Sequence, residues 1–321
     1  MKHPVKVSVI IPVYNVEDYL PFALQSCIDQ TLKDVEFICV NDGSTDNSLR
    51  VLESFSKEDK RIKIIDKENA GVSSARNVGL DASCGKWVMF LDPDDYLAKN
   101  ACERVWIEGE EGRTDIINFG TEIVPKQPKP TPWHYYALDV WTKRYYEFTP
   151  NALFGEPSAK PFLWHQAFSR DLLNRSKVRF DEGLKLAEDM TFLISIYPHA
   201  NFIAHIQDKL YNYRWIRANS AMQRFRDDFN KKIKQHLTAV QRIAEYWNQN
   251  GFTEKYGADL LGWSLDFILH DLENCEGIGV DEKSIYRKKF KDILSQYGLL
   301  QYSKELDKRG KRYLKLLNAK G

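Results

Sequence analysis

The sequence predicts an α/β fold: a Rossmann-like, mostly parallel sheet flanked by helices, followed by a helical C-terminal region. Three observations carry this reading. Short apolar runs recur at residues 7–12, 35–40, 62–65 and 87–91. The stretches between them place apolar residues at steps of three and four, the period of a helix with one buried face. Beyond about residue 222 the strand signals fade, and a helical period rich in Lys and Arg takes over. Strand–helix–strand units in succession imply parallel strands joined by crossover helices.

In chain order, Val7-Ser-Val-Ile-Ile-Pro12 reads as a buried strand. The helix after it runs from about residue 16 to residue 30, with Tyr19, Leu20, Ala23, Leu24, Cys27 and Ile28 on its core face. Val35-Glu-Phe-Ile-Cys-Val40 is the second strand. Asn41-Asp42-Gly43-Ser44 turns the chain into a helix that reaches about residue 57. Residues 62–65 form a third strand, residues 72–82 a helix, residues 87–91 a fourth strand and residues 116–119 a fifth. Ligands of such sheets sit beyond the C-terminal ends of the strands, where Asn15, Asp42 and Asp92 to Asp95 all stand. Pro125, Pro128, Pro130 and Pro132 deny regular structure to residues 125–135, which read as a linker or lid. Residues 133–168 are dense in aromatics, including Trp133, Tyr135, Tyr136, Trp141 and Trp164. They fit either a second core or one wall of a ligand site.

Composition narrows the classes. With 321 residues, 43% hydrophobic and 28% charged, the chain has material for a real core and room for two domains. A net charge of +1 gives no global pull toward nucleic acid. Five scattered cysteines without a CxxC pair read as reduced thiols in a cytoplasmic protein. No apolar stretch reaches the length of a membrane span or a signal sequence.

Asp92-Pro93-Asp94-Asp95 closes the apolar run Trp87-Val-Met-Phe-Leu91. Carboxylates at a strand end are hard oxygen ligands, suited to Mg²⁺ or Mn²⁺ that completes its shell with substrate phosphates. A second pair, Glu188-Asp189, opens an apolar helix. A metal–diphosphate site plus a separate base is the minimum equipment for moving a group off a nucleoside diphosphate. Plainer accounts stand beside these. Asp42 serves a turn, and Asp94 and Asp95 suit a helix cap. Gly71-Val-Ser-Ser-Ala-Arg76-Asn77-Val-Gly79 starts a helix with small residues for close packing. Arg76 is the odd member, because its guanidinium would point toward the acids, offsetting them or gripping a phosphate. Asp189 in a first helical turn gains from the helix dipole, and the same field favours the ionised form a base requires. The chain has no dinucleotide fingerprint, P-loop, HExxH or GxSxG.

Five segments in this order resemble the family 2 glycosyltransferases of the GT-A fold, of the bacterial surface-polysaccharide type. They are residues 9–15, 40–48, 68–79, 90–95 and 187–190, with Tyr211-Asn-Tyr-Arg214, Asn219 and Ser220 matching that family's closing segment. The resemblance spans about residues 5–220. It implies a transferase domain over residues 1–220, with a donor half to about 121 and an acceptor half over 122–220, and a helical region over 221–321. It further implies that Pro12, Tyr14 and Asp42 hold the nucleotide base, with Asn15 beside them and uracil as the default base. Arg76 and Asp92 would meet the ribose and diphosphate, and Asp92, Asp94 and Asp95 the metal. Arg76 or Arg214 would stabilise the departing charge. Asp189 would take the acceptor proton and invert the anomeric centre, with Glu188 as its rival.

The resemblance implies a single sugar moved from a nucleotide sugar to a glycan, lipid-linked or glycoprotein precursor. QxxRW, the mark of processive synthases, is absent. Where many relatives carry Trp-Asn-Lys-Leu, this chain has Trp164-His165-Gln166-Ala167, which would retune acceptor choice. A catalytically inactive binding module and a sugar-nucleotide nucleotidyltransferase are the alternative readings. The second would need a glycine- and lysine-rich first loop, unlike Pro12-Val-Tyr-Asn15. Residues 283–321 hold twelve Lys or Arg against three Asp or Glu. They fit a peripheral contact with the inner face of a membrane, or helices packed on the catalytic domain or on a second subunit of a homo-oligomer.

Overall fold

Val7, Val9, Ile11 and Val13 point to one face of the first strand, where they pack with Leu20, Ala23, Leu24 and Cys27. Ile10 points the other way, and a Cβ on Gly79 would collide with it, so that helix and strand approach more closely than any larger residue would allow. This alternation puts helices on both faces of the sheet. The computed structural model describes residues 4–125, 138–155, 162–215, 228–275 and 279–318. The prolines at 128, 130 and 132, Trp133, Tyr135, Tyr136, Asn219 and Ser220 lie outside them.

The chain divides into two compact units: Met1–Lys185 with Ile196–Arg217, and Leu186–Ser195 with Ala218–Gly321. The first unit contains β1 (Val7–Val13), α1 (Leu20–Ile28), β2 (Val35–Asp42), α2 (Ser48–Glu58), β3 (Ile62–Lys67) and α3 (Val72–Ala82). There follow β4 (Trp87–Phe90), β5 (Tyr96–Leu97), α4 (Ala101–Gly112), β6 (Ile116–Val124) and β7 (Lys143–Tyr145). The last are β8 (Gln166–Ser169), α5 (Arg170–Ser176) and β9 (Ile203–Arg214). The strands make one sheet in the order β3-β2-β1-β4-β8-β6-β9-β5, with β7 also paired to β9.

The expected parallel half is there: β2–β3, β1–β2 and β1–β4 all pair parallel. The rest is mixed, because β8 runs antiparallel between β4 and β6, and β5 and β7 run antiparallel to β9. Gln166-Ala-Phe-Ser169 is too short and polar to show strand periodicity, and β9 carries Gln207, Asp208 and Lys209 in its middle. Neither gives the apolar run by which β1 to β4 and β6 were read, and β5 and β7, of two and three residues, are too short to give one. The first helix also starts later than its periodicity suggests, at Leu20, with Pro21 in the first turn where a missing N–H costs no bond.

Trp164 belongs to the main core and is 8% exposed. Its ring stacks on Phe162 at 5.2 Å, on Tyr211 at 4.8 Å and on Tyr213 at 5.4 Å. At this position, therefore, the aromatic segment is core rather than an open sugar wall. Trp164→Ala is expected to cost about 3–5 kcal/mol of stability, the range for truncating a buried large aromatic. Urea unfolding checks this. A loss below about 1 kcal/mol would return Trp164 to the wall reading.

The second unit holds α6 (Glu188–Ile196), α7 (Phe229–Gln249), α8 (Phe252–Asn274), α9 (Val280–Gln296) and α10 (Lys308–Asn318). Ile233, Leu237, Val240 and Ile243 of α7 and Leu261, Leu265, Ile268 and Leu272 of α8 are all buried. Trp247, fully buried, donates its indole N–H to the Ile194 carbonyl at 2.9 Å, which ties α7 to α6. Asp271 meets His236 at 2.7 Å and Lys232 at 2.9 Å. Burial raises the Asp271 carboxyl, but these two partners outweigh it and hold the group below the usual range. Among the described residues, no helix is long and apolar enough to cross a membrane.

Candidate functional site

Parallel pairing brings three strand ends to one edge of the sheet. Val13 aligns with Asn41, and Ile10 with Phe90, so Tyr14, Asp42 and Asp92 leave the sheet together. Asn15 adopts a left-handed backbone (φ +49°), a conformation Asn tolerates better than most residues. Its Oδ1 accepts the Thr45 N–H at 2.7 Å, and its own N–H donates to Ser44 Oγ at 3.1 Å. The loops after β1 and β2 are thereby fastened to each other.

Asp42 is buried, and its carboxylate accepts from Lys67 Nζ at 2.5 Å, from the Ala70 N–H at 3.0 Å and from the Gly71 N–H at 2.8 Å. A carboxylate has about four acceptor positions, so capacity for one more donor remains. Lys67 was not singled out from the sequence, although it is the residue that pairs with Asp42 across β2 and β3. Pro12 is buried inside β1, whereas the Tyr14 ring is half-exposed.

Arg76 is 6% exposed on α3, with a guanidinium nitrogen 3.3 Å from Asp92 Oδ1 and its plane 5.4 Å from the Phe180 ring. The sequence expectation that Arg76 faces the acids therefore holds. Asp92 keeps 29% of its side chain exposed. Its N–H donates to the Tyr211 hydroxyl at 3.1 Å, and that hydroxyl donates to Asp95 Oδ2 at 2.8 Å. Asp95 Oδ1 accepts the Arg214 N–H at 2.7 Å, and Arg214 Nε donates to the Asp94 carbonyl at 2.9 Å. The Arg214 guanidinium lies over Tyr19 at 5.4 Å and Phe22 at 5.2 Å.

These bonds revise the expectation for Asp95. It is 1% exposed, and both its oxygens are engaged by the end of β9. Burial, with the Asp92 charge adding to it, pushes its carboxyl up to about 8, so the group is protonated near neutral pH. Asp95 holds the acidic loop to β9, with each carboxyl oxygen engaged in this arrangement. Tyr211, which bridges Asp92 and Asp95, is the site residue that sequence reasoning undervalued. Its only signal was its place in Tyr211-Asn-Tyr-Arg214.

His165 and Gln166 are fully enclosed, and Gln166 Oε1 accepts the Tyr197 hydroxyl at 2.9 Å. Neither side chain is open to a ligand in this arrangement.

Glu188 and Asp189 form the first turn of α6 and are partly buried. They belong to the second unit, whereas the β1, β2, β4 and β9 residues belong to the first. Ala187 precedes them in a left-handed backbone (φ +64°), uncommon for a residue with a side chain. Such conformations persist where surrounding bonds enforce them. Here the Ala187 carbonyl accepts both the N–H and the hydroxyl of Thr191, at 2.9 and 2.8 Å. The Met190 N–H donates to Asp189 Oδ1 at 2.7 Å.

Comparison with known proteins bears on the family and the fold. EpsJ of Bacillus subtilis, named as an uncharacterized glycosyltransferase, is 35% identical over 210 residues, which is 65% of this chain and 60% of EpsJ. An uncharacterized glycosyltransferase of Haemophilus influenzae is 30% identical over 279 residues, 83% of this chain and 85% of that protein. The crystal structure of S. aureus TarS 1-349 in complex with UDP-GlcNAc superposes with a TM-score of 0.59 at 22% identity, covering 94% of this chain and 92% of that one. That likeness bears on the fold, which is GT-A. Residues 8–175 match the family model described as "Glycosyl transferase family 2", so the chain belongs to glycosyl transferase family 2.

Proposed function

We propose that this chain is an inverting glycosyltransferase that moves a single sugar from a UDP-sugar to a hydroxyl of a glycan, lipid-linked or glycoprotein precursor. The observation that carries the reading is the acidic loop 92–95, pinned by Tyr211 and faced by Arg76 at the edge where the parallel strands end. Residues 1–121 would hold the donor, and residues 122–220 the acceptor. Tyr14 would stack on the base, and Asp42, oriented by three donors, would accept from its edge.

A divalent cation fits the donor chemistry of Asp92 and Asp94. Among the described residues, no three His, Cys, Asp or Glu side chains gather as a metal site. Mg²⁺ is usually bound by one or two carboxylates, with substrate phosphates and waters completing its shell. Asp92 and Asp94 would hold Mn²⁺ or Mg²⁺. When bound, the ion neutralises charge on the diphosphate.

The transfer itself is one displacement. The acceptor oxygen bonds to the anomeric carbon as the bond to the diphosphate oxygen breaks, and the electron pair leaves with the nucleoside diphosphate. Asp189 takes the hydroxyl proton. Arg76, already beside Asp92, adds positive charge where the diphosphate charge grows.

A panel of nucleotide sugars tested by thermal unfolding with and without Mn²⁺ examines this. A UDP-sugar at about a hundred times its Kd adds about 2.7 kcal/mol of stability, while other nucleotide classes should add little. Stabilisation by another class alone would sink the uridine assignment. Binding without release of UDP in the presence of any acceptor would turn the reading to an inactive binding module.

A further inference from the structure

We propose that the adjoining basic faces of α9 and α10 form an electrostatic docking surface for an anionic lipid bilayer. Residues 279–318 hold eleven Lys and Arg against five Asp and Glu, in a chain whose net charge is only +1. Positive charge is thus gathered here and depleted elsewhere. Two of these cations are used inside the unit: Arg287 pairs with Glu273 at 2.6 Å and Arg309 with Asp266 at 2.7 Å. Lys288, Lys308, Lys311, Arg312 and Lys315 are exposed, and none of them has a carboxylate partner among the described residues.

One hydrogen bond brings the two basic helices together. Lys291 Nζ donates to Asn318 Oδ1 at 2.8 Å, which sets the middle of α9 beside the last turn of α10. Lys288 stands one turn before Lys291. Lys311 and Lys315 occupy the stripe that leads to Asn318 at helical spacing. Ile285, 54% exposed, stands one turn before Lys288 and adds an apolar edge to the patch.

The structure also fixes the kind of contact. The apolar side of these helices is already occupied, because Tyr286, Phe290, Leu294 and Leu317 are buried in the unit. The helices therefore cannot roll over and insert, as a free amphipathic helix would, and adsorption must come from charge. Lysines dominate, and a lysine is a compact point charge suited to a diffuse layer of headgroups rather than to a forked grip on one phosphate. Each cation near an anionic leaflet strengthens binding about fivefold, and the effect fades beyond about 8–10 Å at physiological salt. The net-negative remainder of the chain would be repelled, which orients the molecule with this face down.

Sedimentation of the full chain with phosphatidylcholine vesicles, with or without phosphatidylglycerol, tests the proposal directly. Binding is expected only to phosphatidylglycerol vesicles, at low salt, with reversal at high salt. The variant K288E/K311E/R312E/K315E should lose at least about six-hundredfold in partition, four charges at about fivefold each. K288Q/K311Q/K315Q should lose less, and its unchanged circular dichroism and thermal midpoint guard against misfolding. Inorganic phosphate, balanced with chloride for ionic strength, should leave vesicle binding intact. Displacement by phosphate would mean a discrete phosphate site, and would overturn the bilayer assignment. Absence of binding at low salt, or full binding by the reversed variant, would overturn the proposal as well. Nothing in this readout depends on catalysis, so it stands or falls apart from the transferase reading.

Discussion

Asp189→Asn is expected to reduce sugar transfer by about 10²–10⁴-fold while leaving UDP affinity unchanged. The substitution keeps the size and one acceptor oxygen of the side chain, so the Met190 N–H retains a partner and α6 keeps its first turn. What disappears is the basic site for the acceptor proton. The helix N-terminus favours the ionised carboxylate that this task requires. The left-handed Ala187 sets the angle at which the chain enters that turn. Steady-state transfer and UDP titration of Asp189→Asn and Glu188→Gln side by side separate the candidates. A large rate loss in the Glu188 variant alone moves the base to Glu188. A parallel loss of UDP affinity in the Asp189 variant would place that residue in the donor site instead.

The parts of this protein that speak through periodicity were legible in the sequence. The apolar runs at residues 7–12, 35–40 and 87–91 announce buried parallel strands, and the acids after them follow because the strand ends define the edge where ligands collect. Arg76 was legible as an anomaly, a cation in a helix otherwise built for close packing against Ile10. What stayed hidden depends on partners far away in sequence. Nothing local to Asp95 says that its two oxygens will be taken by Tyr211 and Arg214, more than a hundred residues on. Nor does Gln166 announce its bond to Tyr197, which turns an apparent recognition residue into a buried support. β8 and β9 escaped for a simpler reason: one is four residues long and the other carries charges through its middle, so neither shows the apolar run of a strand.

Within the acidic loop, Asp94→Ala and Asp95→Asn are expected to part ways. Asp94→Ala should abolish cation-supported donor binding, and chelator should mimic it in the parent chain, because a hard-oxygen donor of the acidic loop is gone. Asp95→Asn should keep donor binding, since a protonated carboxyl and an amide are close in shape and both are neutral at pH 7. The amide oxygen can still accept from Arg214 N–H or the Tyr211 hydroxyl. The two variants also differ in how stability responds to pH. An acid whose folded pKa is raised holds its proton in the folded state but loses it when unfolded, between about pH 4 and 8. Across that window the folded state binds more protons, so stability falls as pH rises, by up to about 1.4 kcal/mol per unit, and levels off above 8. Asn at 95 removes this slope. Urea midpoints of the parent chain and Asp95→Asn, taken near pH 5 and pH 8, should therefore converge at low pH and favour the variant at high pH. Equal pH slopes in the two proteins would show that Asp95 is ionised in the fold. Full turnover of the parent chain in excess chelator would show that Arg76 and its neighbours neutralise the diphosphate without a metal. Asp94 would then be a structural acid like Asp95.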